Sequence, residues 1–287
     1  MKKLLWLSAI IPYLGFTQSI KLRKYKRGEK FQYQLTTESY RNGQPDAKTI
    51  AVSYHTVVED SNKLVEEIKW ISKTSYSAKD TLDLDSVARH VPVYKVSLMP
   101  GGQLKLPPLT DPSMTGEITD LHTFYAAVSP ALHLQNLGPN HLSFYDSVVR
   151  GNFADGKQIL RGEDCIQVKQ RLLTKDNDFT IIETSFLPPF NASINPYIDT
   201  IGIALFGQPN NFQMVRKGAG DKVNLLWGTE EFIIRSKLDK RTGILLEAEM
   251  TNLLNLHMRY NASPDLKTYD GEIPLTIKRV LHLQLLR

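Results

Sequence analysis

The sequence predicts a mostly β protein: one large, curved antiparallel sheet, a half-barrel or open barrel, with one or two helices packed on one side. Three observations predict this fold class. Apolar and polar residues alternate over most of the chain, which is the period of a strand. Tight-turn signals separate these runs, and Asn42-Gly43 is the clearest, because a two-residue hairpin turn needs positive φ at both positions. One segment alone, 117–135, has helical spacing over a long stretch.

The first part of the chain is predicted to form a meander of long strands. Alternating patterns cover 31–36, 50–58, 64–76, 91–99 and 103–106, with a second hairpin turn at Gly101-Gly102. Residues 79–90 are polar and poor in strand signal. Pro107, Pro108 and Pro112 close this part, because proline cannot donate to a strand ladder.

The segment 117–135 is predicted to be the main helix, packed across the sheet. Thr115 is the predicted N-cap, ahead of Glu117 in the first turn. Pro130 is expected to kink or split the helix. The apolar stripe consists of Ile118, Leu121, Tyr125, Val128 and Leu132.

The second half of the chain returns to strand patterns. Turns are predicted at 176–178 and 239–243, and Lys217 to Asp221 reads as a loop between two strands. The stretch 188–211 is rich in Pro, Asn and Gly around the apolar piece 198–206, which is a short helix or a hydrophobic loop. Strands are predicted at 142–150, 166–173, 179–187, 212–217, 223–227, 230–238, 244–254 and 275–286.

Residues 1–19 have the three-part pattern of a secretory signal peptide. Lys2 and Lys3 precede an apolar run over 4–16, and small polar residues follow at 17–19. We therefore expect an exported protein, periplasmic or extracellular, with one β-rich domain over 20–287 and a division near 107–116 left open. No cysteine lies at the end of the apolar run, so no lipid anchor is expected. No later apolar stretch is long enough for a transmembrane segment.

Composition excludes some partners. The net charge of +5 includes Lys2 and Lys3, and so weak an excess of positive charge does not predict nucleic-acid binding.

The lone Cys165 cannot form an internal disulfide, so stability is expected to come from packing. A basic arm over 21–30 is either a solvated terminus or a contact for an anionic envelope surface. It contains Lys21, Arg23, Lys24, Lys26, Arg27 and Lys30.

Motifs for catalysis, metals and cofactors are absent from the sequence. The histidines fall in no zinc-binding spacing, and neither a G-x-S-x-G elbow nor a phosphate-binding glycine loop is present. Acidic pairs such as Glu230 and Glu231 are expected to be solvated. We therefore predict no catalytic residues, no metal and no cofactor. The seven histidines are His55, His90, His122, His133, His141, His257 and His282.

The apolar stretch 187–206 is the candidate ligand site. It is either a crossover that packs into the core or a flap at the mouth of a curved sheet, where an acyl chain or another apolar ligand enters. With one residue from the predicted helix, the candidate ligand-binding residues are Phe190, Tyr197, Ile198, Ile201, Leu205, Phe206 and Tyr125.

The closing part of the chain resembles the LolA-like half-barrel envelope proteins. The resemblance rests on the runs 232–238, 244–254 and 275–286 and on the turn Asp239-x-x-Thr242-Gly243. It implies an antiparallel sheet around a helical lid, with lipid carried in the hollow between them. The chain is longer than such a carrier, chiefly after Pro188, and no residue matches a functional position of that family.

Three functions follow as hypotheses. The first is an exported, non-enzymatic binding or carrier protein for a lipid or other apolar ligand. The second is a structural or interaction protein of an envelope complex. The third is a hydrolase of envelope or extracellular polymer, motivated by export and by carboxylates and histidines without an assigned role.

Overall fold

A computed structural model shows a mostly β protein, and the predicted fold class is confirmed. Among the residues that the structure describes, the strands form one large antiparallel sheet and two α-helices accompany it. The structure describes residues 26–60, 64–97, 112–128, 141–145, 149–152, 158–162, 166–187, 212–264 and 267–286.

The helices lie between the early and the late strands in the chain. They are α1 (Asp85–His90) and α2 (Thr115–Ala127), and a 3₁₀ turn at Pro112–Met114 leads into α2. The strands are β1 (Lys30–Arg41), β2 (Gln44–Glu59), β3 (Val65–Ser77), β4 (Thr81–Asp83), β5 (Tyr94–Ser97), β6 (His141–Tyr145), β7 (Val149–Asn152), β8 (Gln158–Gly162), β9 (Ile166–Lys175), β10 (Phe179–Leu187), β11 (Phe212–Lys217), β12 (Val223–Asp239), β13 (Leu245–Ala262) and β14 (Gly271–Leu286).

The last strand joins the two halves of the sheet. The main path runs β4-β3-β2-β1-β14-β13-β12-β10-β9-β6, so β14 lies between β1 and β13. The remaining strands branch from it: β5 pairs with β3, β11 joins β12 to β8, and β7 pairs with β8. The predicted hairpin turn at Asn42-Gly43 is confirmed, with φ of 49° and 79°. Asn42 also ties this turn to β14, because its Oδ1 accepts from the Thr276 N–H at 2.8 Å.

Several predicted boundaries are wrong. The runs 223–227 and 230–238 form the single strand β12, which passes through Gly228 at φ 151°. A Cβ at Gly228 would lie 2.1 Å from the Asn255 carbonyl oxygen, so only glycine fits where these two backbones approach. The run 142–150 instead contributes to two strands, β6 and β7. The region 79–90, predicted to be poor in strand, holds β4 and α1, and β8 was not predicted.

The start of the main helix also differs from the prediction. The N-cap is Met114 and not Thr115, and it makes no side-chain hydrogen bond to the helix. The preceding 3₁₀ turn continues directly into α2, so no extended capping residue is present at this end. Helix α2 ends at Ala127, and the predicted kink at Pro130 lies outside the described residues.

One core fills the space between α2 and the sheet. Alternate residues of the central strands point to the helix side, including Leu35, Ile68 and Trp70, each at most 2% exposed. From the helix, Leu121 and Phe124 pack into the same core and are fully buried. Helix α2 bonds to β3, β14 and β10, which are far apart along the sheet, so the sheet curves around it.

Other predictions fall outside the described residues. They include the signal peptide at 1–19, the basic arm before Lys26, the hairpin turn Gly101-Gly102 with the strand 103–106, Cys165, and the loop 188–211 with six of the seven candidate ligand residues. Half of the division left open near 107–116, residues 107–111, also lies outside. In the part of the chain that the structure describes, none of the helices has the length and apolar character needed to cross a membrane.

Candidate functional site beneath helix α2

Helix α2 rests in the hollow of the sheet on polar as well as apolar side chains. Eight of its thirteen residues are buried, and they include Glu117, Asp120 and His122. An amphipathic helix normally keeps such side chains toward water. Burying them is costly unless partners satisfy them. The partners that the sheet provides therefore define the candidate site.

The first group, called here the histidine cluster, consists of Ser53, His55, Glu66 and Tyr125. Ser53 and His55 are two residues apart on β2 and point to the same face, and Glu66 lies on the neighbouring strand β3. Ser53 Oγ is 2.9 Å from His55 Nε2, and Glu66 Oε2 is 3.2 Å from His55 Nδ1. The Tyr125 hydroxyl donates to Glu66 Oε2 at 3.1 Å and also contacts His55 Nδ1. All four residues are at most 2% exposed.

Two tyrosine rings enclose the imidazole. The Tyr33 ring centroid is 4.7 Å from that of His55, and the Tyr125 ring meets His55 edge to face at 5.5 Å. Tyr33 is itself fixed, because its hydroxyl donates to the Leu245 carbonyl oxygen at 2.8 Å. The ring of His55 is thus held in one orientation, with each nitrogen facing a different partner.

The second group, called here the charged seat, consists of Lys73, Glu117, Asp120 and Arg279. It holds the N-terminal half of α2 against the sheet. Lys73 Nζ of β3 is 2.7 Å from Glu117 Oε2, and both side chains are 7% exposed. Arg279 of β14 donates to both carboxylate oxygens of Asp120, one of them at 3.0 Å. Burial raises the pKa of the Asp120 carboxyl, and the Arg279 guanidinium opposes that rise.

Glu230 of β12 lies near the charged seat. Burial raises the pKa of Glu230, and the hydrogen bond that Asn252 Nδ2 donates to it at 2.9 Å lowers that pKa. The charge of Arg279 also lowers the pKa of Glu230, whereas that of Asp120 raises it. The carboxylates of Asp120 and Glu230 therefore both interact electrostatically with Arg279.

Polar contacts also hold the C-terminal end of α2. The carbonyl oxygen of Ala127 accepts from Gln170 Nε2 at 3.3 Å and from Thr184 Oγ1 at 3.1 Å. The last carbonyls of a helix have no partner within the helix, so β9 and β10 supply one here. Helix α2 is consequently fixed by polar groups near both ends and by apolar packing between them.

The histidine cluster has the hydrogen-bond connectivity of a catalytic triad made of serine, histidine and a carboxylate. With the proton on Nδ1, His55 donates to the Glu66 carboxylate and accepts from the Ser53 hydroxyl at Nε2. This is the order of groups that activates a serine for attack on a carbonyl. Ser53 is only 1% exposed beneath α2, so a substrate could reach it only after the helix moves.

The structure places one candidate ligand residue in this site. Tyr125 lies in the histidine cluster, and its predicted role toward a ligand stays a prediction. Sequence reasoning missed Ser53, His55 and Glu66, although Ser53-x-His55 within a strand pattern already puts both side chains on one face. It also expected the carboxylate of Glu230 to be solvated, whereas Glu230 is partly buried and accepts a hydrogen bond from Asn252.

Comparisons with known proteins assign no family. No family model matches the chain, and no curated protein matches it. OccK2 (OpdF) of Pseudomonas aeruginosa is 7% identical over 90% of this chain and 97% of that chain, with a TM-score of 0.21. A loop L8 deletion mutant of OmpT, an outer membrane protein of Vibrio cholerae, is 9% identical over 91% of this chain and 100% of that chain, with a TM-score of 0.20. Similarity at this level assigns neither a fold nor a function to the chain.

Proposed function

We propose that the protein is an exported, non-enzymatic binding or carrier protein for a lipid or another apolar ligand. The concave face of the sheet is its binding surface, and α2 is a lid that the ligand displaces. One observation carries the proposal: α2 occupies the hollow through buried polar contacts near its two ends, with an apolar surface between them. The signal-peptide pattern of residues 1–19 supports export.

Such a lid is suited to exchange with a ligand because buried ion pairs add little net stability. The attraction between Lys73 and Glu117 is offset by the cost of removing both groups from water. Both groups regain their hydration when the helix lifts. The surface exposed in this way would include a large apolar area, with Leu35, Ile68 and Trp70 on the sheet. An acyl chain could cover this surface in place of the helix.

Two sequence features agree with this proposal. The strands that close the sheet resemble those of LolA-like carriers, in which a helical lid covers a lipid-binding hollow. The second is the apolar stretch 187–206, for which the proposal adopts the flap interpretation rather than the crossover. Its predicted ligand-binding residues are Phe190, Tyr197, Ile198, Ile201, Leu205 and Phe206. Tyr125 belongs to the lid side of the same surface.

We expect the double variant Lys73→Met with Glu117→Leu to bind a fluorescent fatty acid about tenfold more weakly than the unaltered protein. Replacing a buried ion pair by apolar side chains is often neutral or stabilising by about 1–4 kcal/mol. Because about 1.4 kcal/mol corresponds to a factor of ten, a lid held this much more firmly weakens ligand binding. The measurement is a fluorescence titration, with native mass spectrometry of the gently purified protein to identify bound lipid.

The matched control is Lys48→Met with Glu38→Leu. This pair has the same chemistry at 2.9 Å, but its side chains are 45% and 39% exposed and lie away from α2. We expect this control to bind the fatty acid like the unaltered protein. A clean ligand-free mass together with no fluorescence change would overturn the binding function. Equal affinities for both double variants would overturn the role of α2 as its lid.

The order Ser53–His55–Glu66 supports a second candidate function, a serine hydrolase that works when α2 is displaced. This candidate predicts that a fluorophosphonate probe labels the full chain at Ser53 and that Ser53→Ala abolishes labelling. Ser236→Ala is the control, because Ser236 is equally buried, at 1% exposure, but lies outside the histidine cluster. Absence of labelling, with no turnover in an esterase and glycosidase panel, would rule this candidate out.

A further inference from the structure

A cluster of metal-ligating side chains lies on the face of the sheet opposite α2. Glu247 and Glu249 belong to β13, and His282 belongs to β14 directly opposite Glu249. Their sequence neighbours Ala248 and Leu281 are fully buried in the core. Since side chains alternate along a strand, the three ligating residues point away from the core.

The three side chains converge on one point. Glu247 Oε1 is 2.9 Å from His282 Nε2, and one ligand atom from each of the three residues lies within 4.8 Å of the others. The side chains of Glu247 and His282 are 42% and 35% exposed, so an ion from solution can reach them. The backbone beneath them is a continuous ladder between β13 and β14, so the ligands need little rearrangement.

The neighbouring cations are held by other groups. Arg235 and Lys237 of β12 lie opposite Glu249 and Glu247 in the ladder. Arg235 Nε, however, donates to Glu183 Oε2 at 3.0 Å, and Lys237 Nζ lies 4.6 Å from the centre of the Phe179 ring. Both cationic groups are therefore turned toward β10, and the two carboxylates keep negative charge available for a metal.

We propose that Glu247, Glu249 and His282 form a binding site for a divalent transition metal of the zinc class. Calcium and magnesium sites are built from oxygen ligands, whereas an imidazole with carboxylates suits zinc. Three protein ligands leave positions for water, and the bound ion would link β13 to β14 on the face opposite the lid.

The test is a calorimetric titration of Zn²⁺ into the full chain, purified without a histidine tag and stripped with a chelator. We expect saturable binding of one equivalent. Glu249→Gln should weaken this binding roughly tenfold or more, since even a residue that only supports a metal ligand costs that much. This variant is informative because it leaves the contact between His282 and Glu247 intact. His282→Gln should weaken binding likewise, and circular dichroism checks that both variants fold.

The matched control is His257→Gln. His257 Nδ1 is 3.1 Å from Glu272 Oε1, which is the same kind of pair, but Arg259 also bonds to Glu272 at 2.6 Å. The positive charge of Arg259 disfavours a cation there, so we expect zinc affinity to be unchanged. The proposal is overturned if the unaltered chain shows no saturable zinc binding, or if Glu249→Gln and His282→Gln bind zinc like the control.

Discussion

Asp120→Ala is expected to lower the free energy of unfolding by about 3–5 kcal/mol, the usual loss when one partner of a buried ion pair is removed. Asp120 is the carboxylate that receives two hydrogen bonds from Arg279, and its side chain is 7% exposed. Without it, the guanidinium stays beneath α2 with part of its charge uncompensated. Equilibrium urea denaturation followed by tryptophan fluorescence measures the loss.

The matched control is Asp46→Ala. Asp46 also pairs with an arginine, Arg41, at 3.3 Å, but the two side chains are 42% and 60% exposed. Exposed pairs of this kind contribute about 0–1 kcal/mol because water screens the charges and the side chains are free to move. Similar losses for Asp46→Ala and Asp120→Ala would show that the charged seat is solvated and that α2 does not bury it.

A double variant separates the cost of an unpaired charge from the value of the pair. Asp120→Leu with Arg279→Met removes both charges and keeps apolar volume beneath the helix. We expect it to be more stable than Asp120→Ala, because replacing both members of a buried pair is often neutral or stabilising. If its stability fell below that of Asp120→Ala, the ion pair itself would be holding α2 in place.

Local patterns predicted the elements of the fold, but they contain no information on how the sheet is assembled. Asn42-Gly43 specifies a hairpin because the two residues alone set the turn. The pairing of β1 with β14, by contrast, brings Leu35 opposite Leu283, and no short window of sequence relates these positions. The sequence pattern divides the long strand β12 into two predicted strands because a glycine such as Gly228 indicates a break. Only the close approach of the Asn255 carbonyl oxygen in the folded sheet explains this glycine.

The candidate site was harder to predict than the fold because it breaks the rule that charged side chains face water. Glu66, Lys73 and Asp120 are all buried. Glu66 follows the strand period of the buried Ile68 and Trp70, whereas the register shift after Trp70 brings Lys73 to that face. Read from sequence alone, such residues look like interruptions of an apolar pattern. Their role becomes visible only when distant elements bring Lys73 to Glu117 and Arg279 to Asp120. Places where polar residues violate the core pattern are where functional sites are expected.

Phe124→Ala is also expected to lower the free energy of unfolding by about 3–5 kcal/mol, the usual cost of replacing a buried phenylalanine by alanine. Phe124 is fully buried in the core that α2 shares with the sheet. The lost ring leaves a cavity in the apolar contact between α2 and the sheet. Urea denaturation measures the loss, and amide hydrogen exchange should quicken in α2 more than in β13.

Thr123→Ala is the control for Phe124→Ala, because the two residues are adjacent in α2. Thr123 is half-buried, and its hydroxyl donates within the helix to the Thr119 carbonyl oxygen at 2.9 Å. We expect its effect to stay within about 0.5 kcal/mol. If Phe124→Ala were as mild as Thr123→Ala, α2 would contribute little apolar contact to the closed state. The hollow would then be shielded chiefly by the charged seat and the histidine cluster, and an apolar ligand would gain little by taking the place of the helix. A large loss for Phe124→Ala alone means that α2 covers an apolar surface, as the proposed lid role requires.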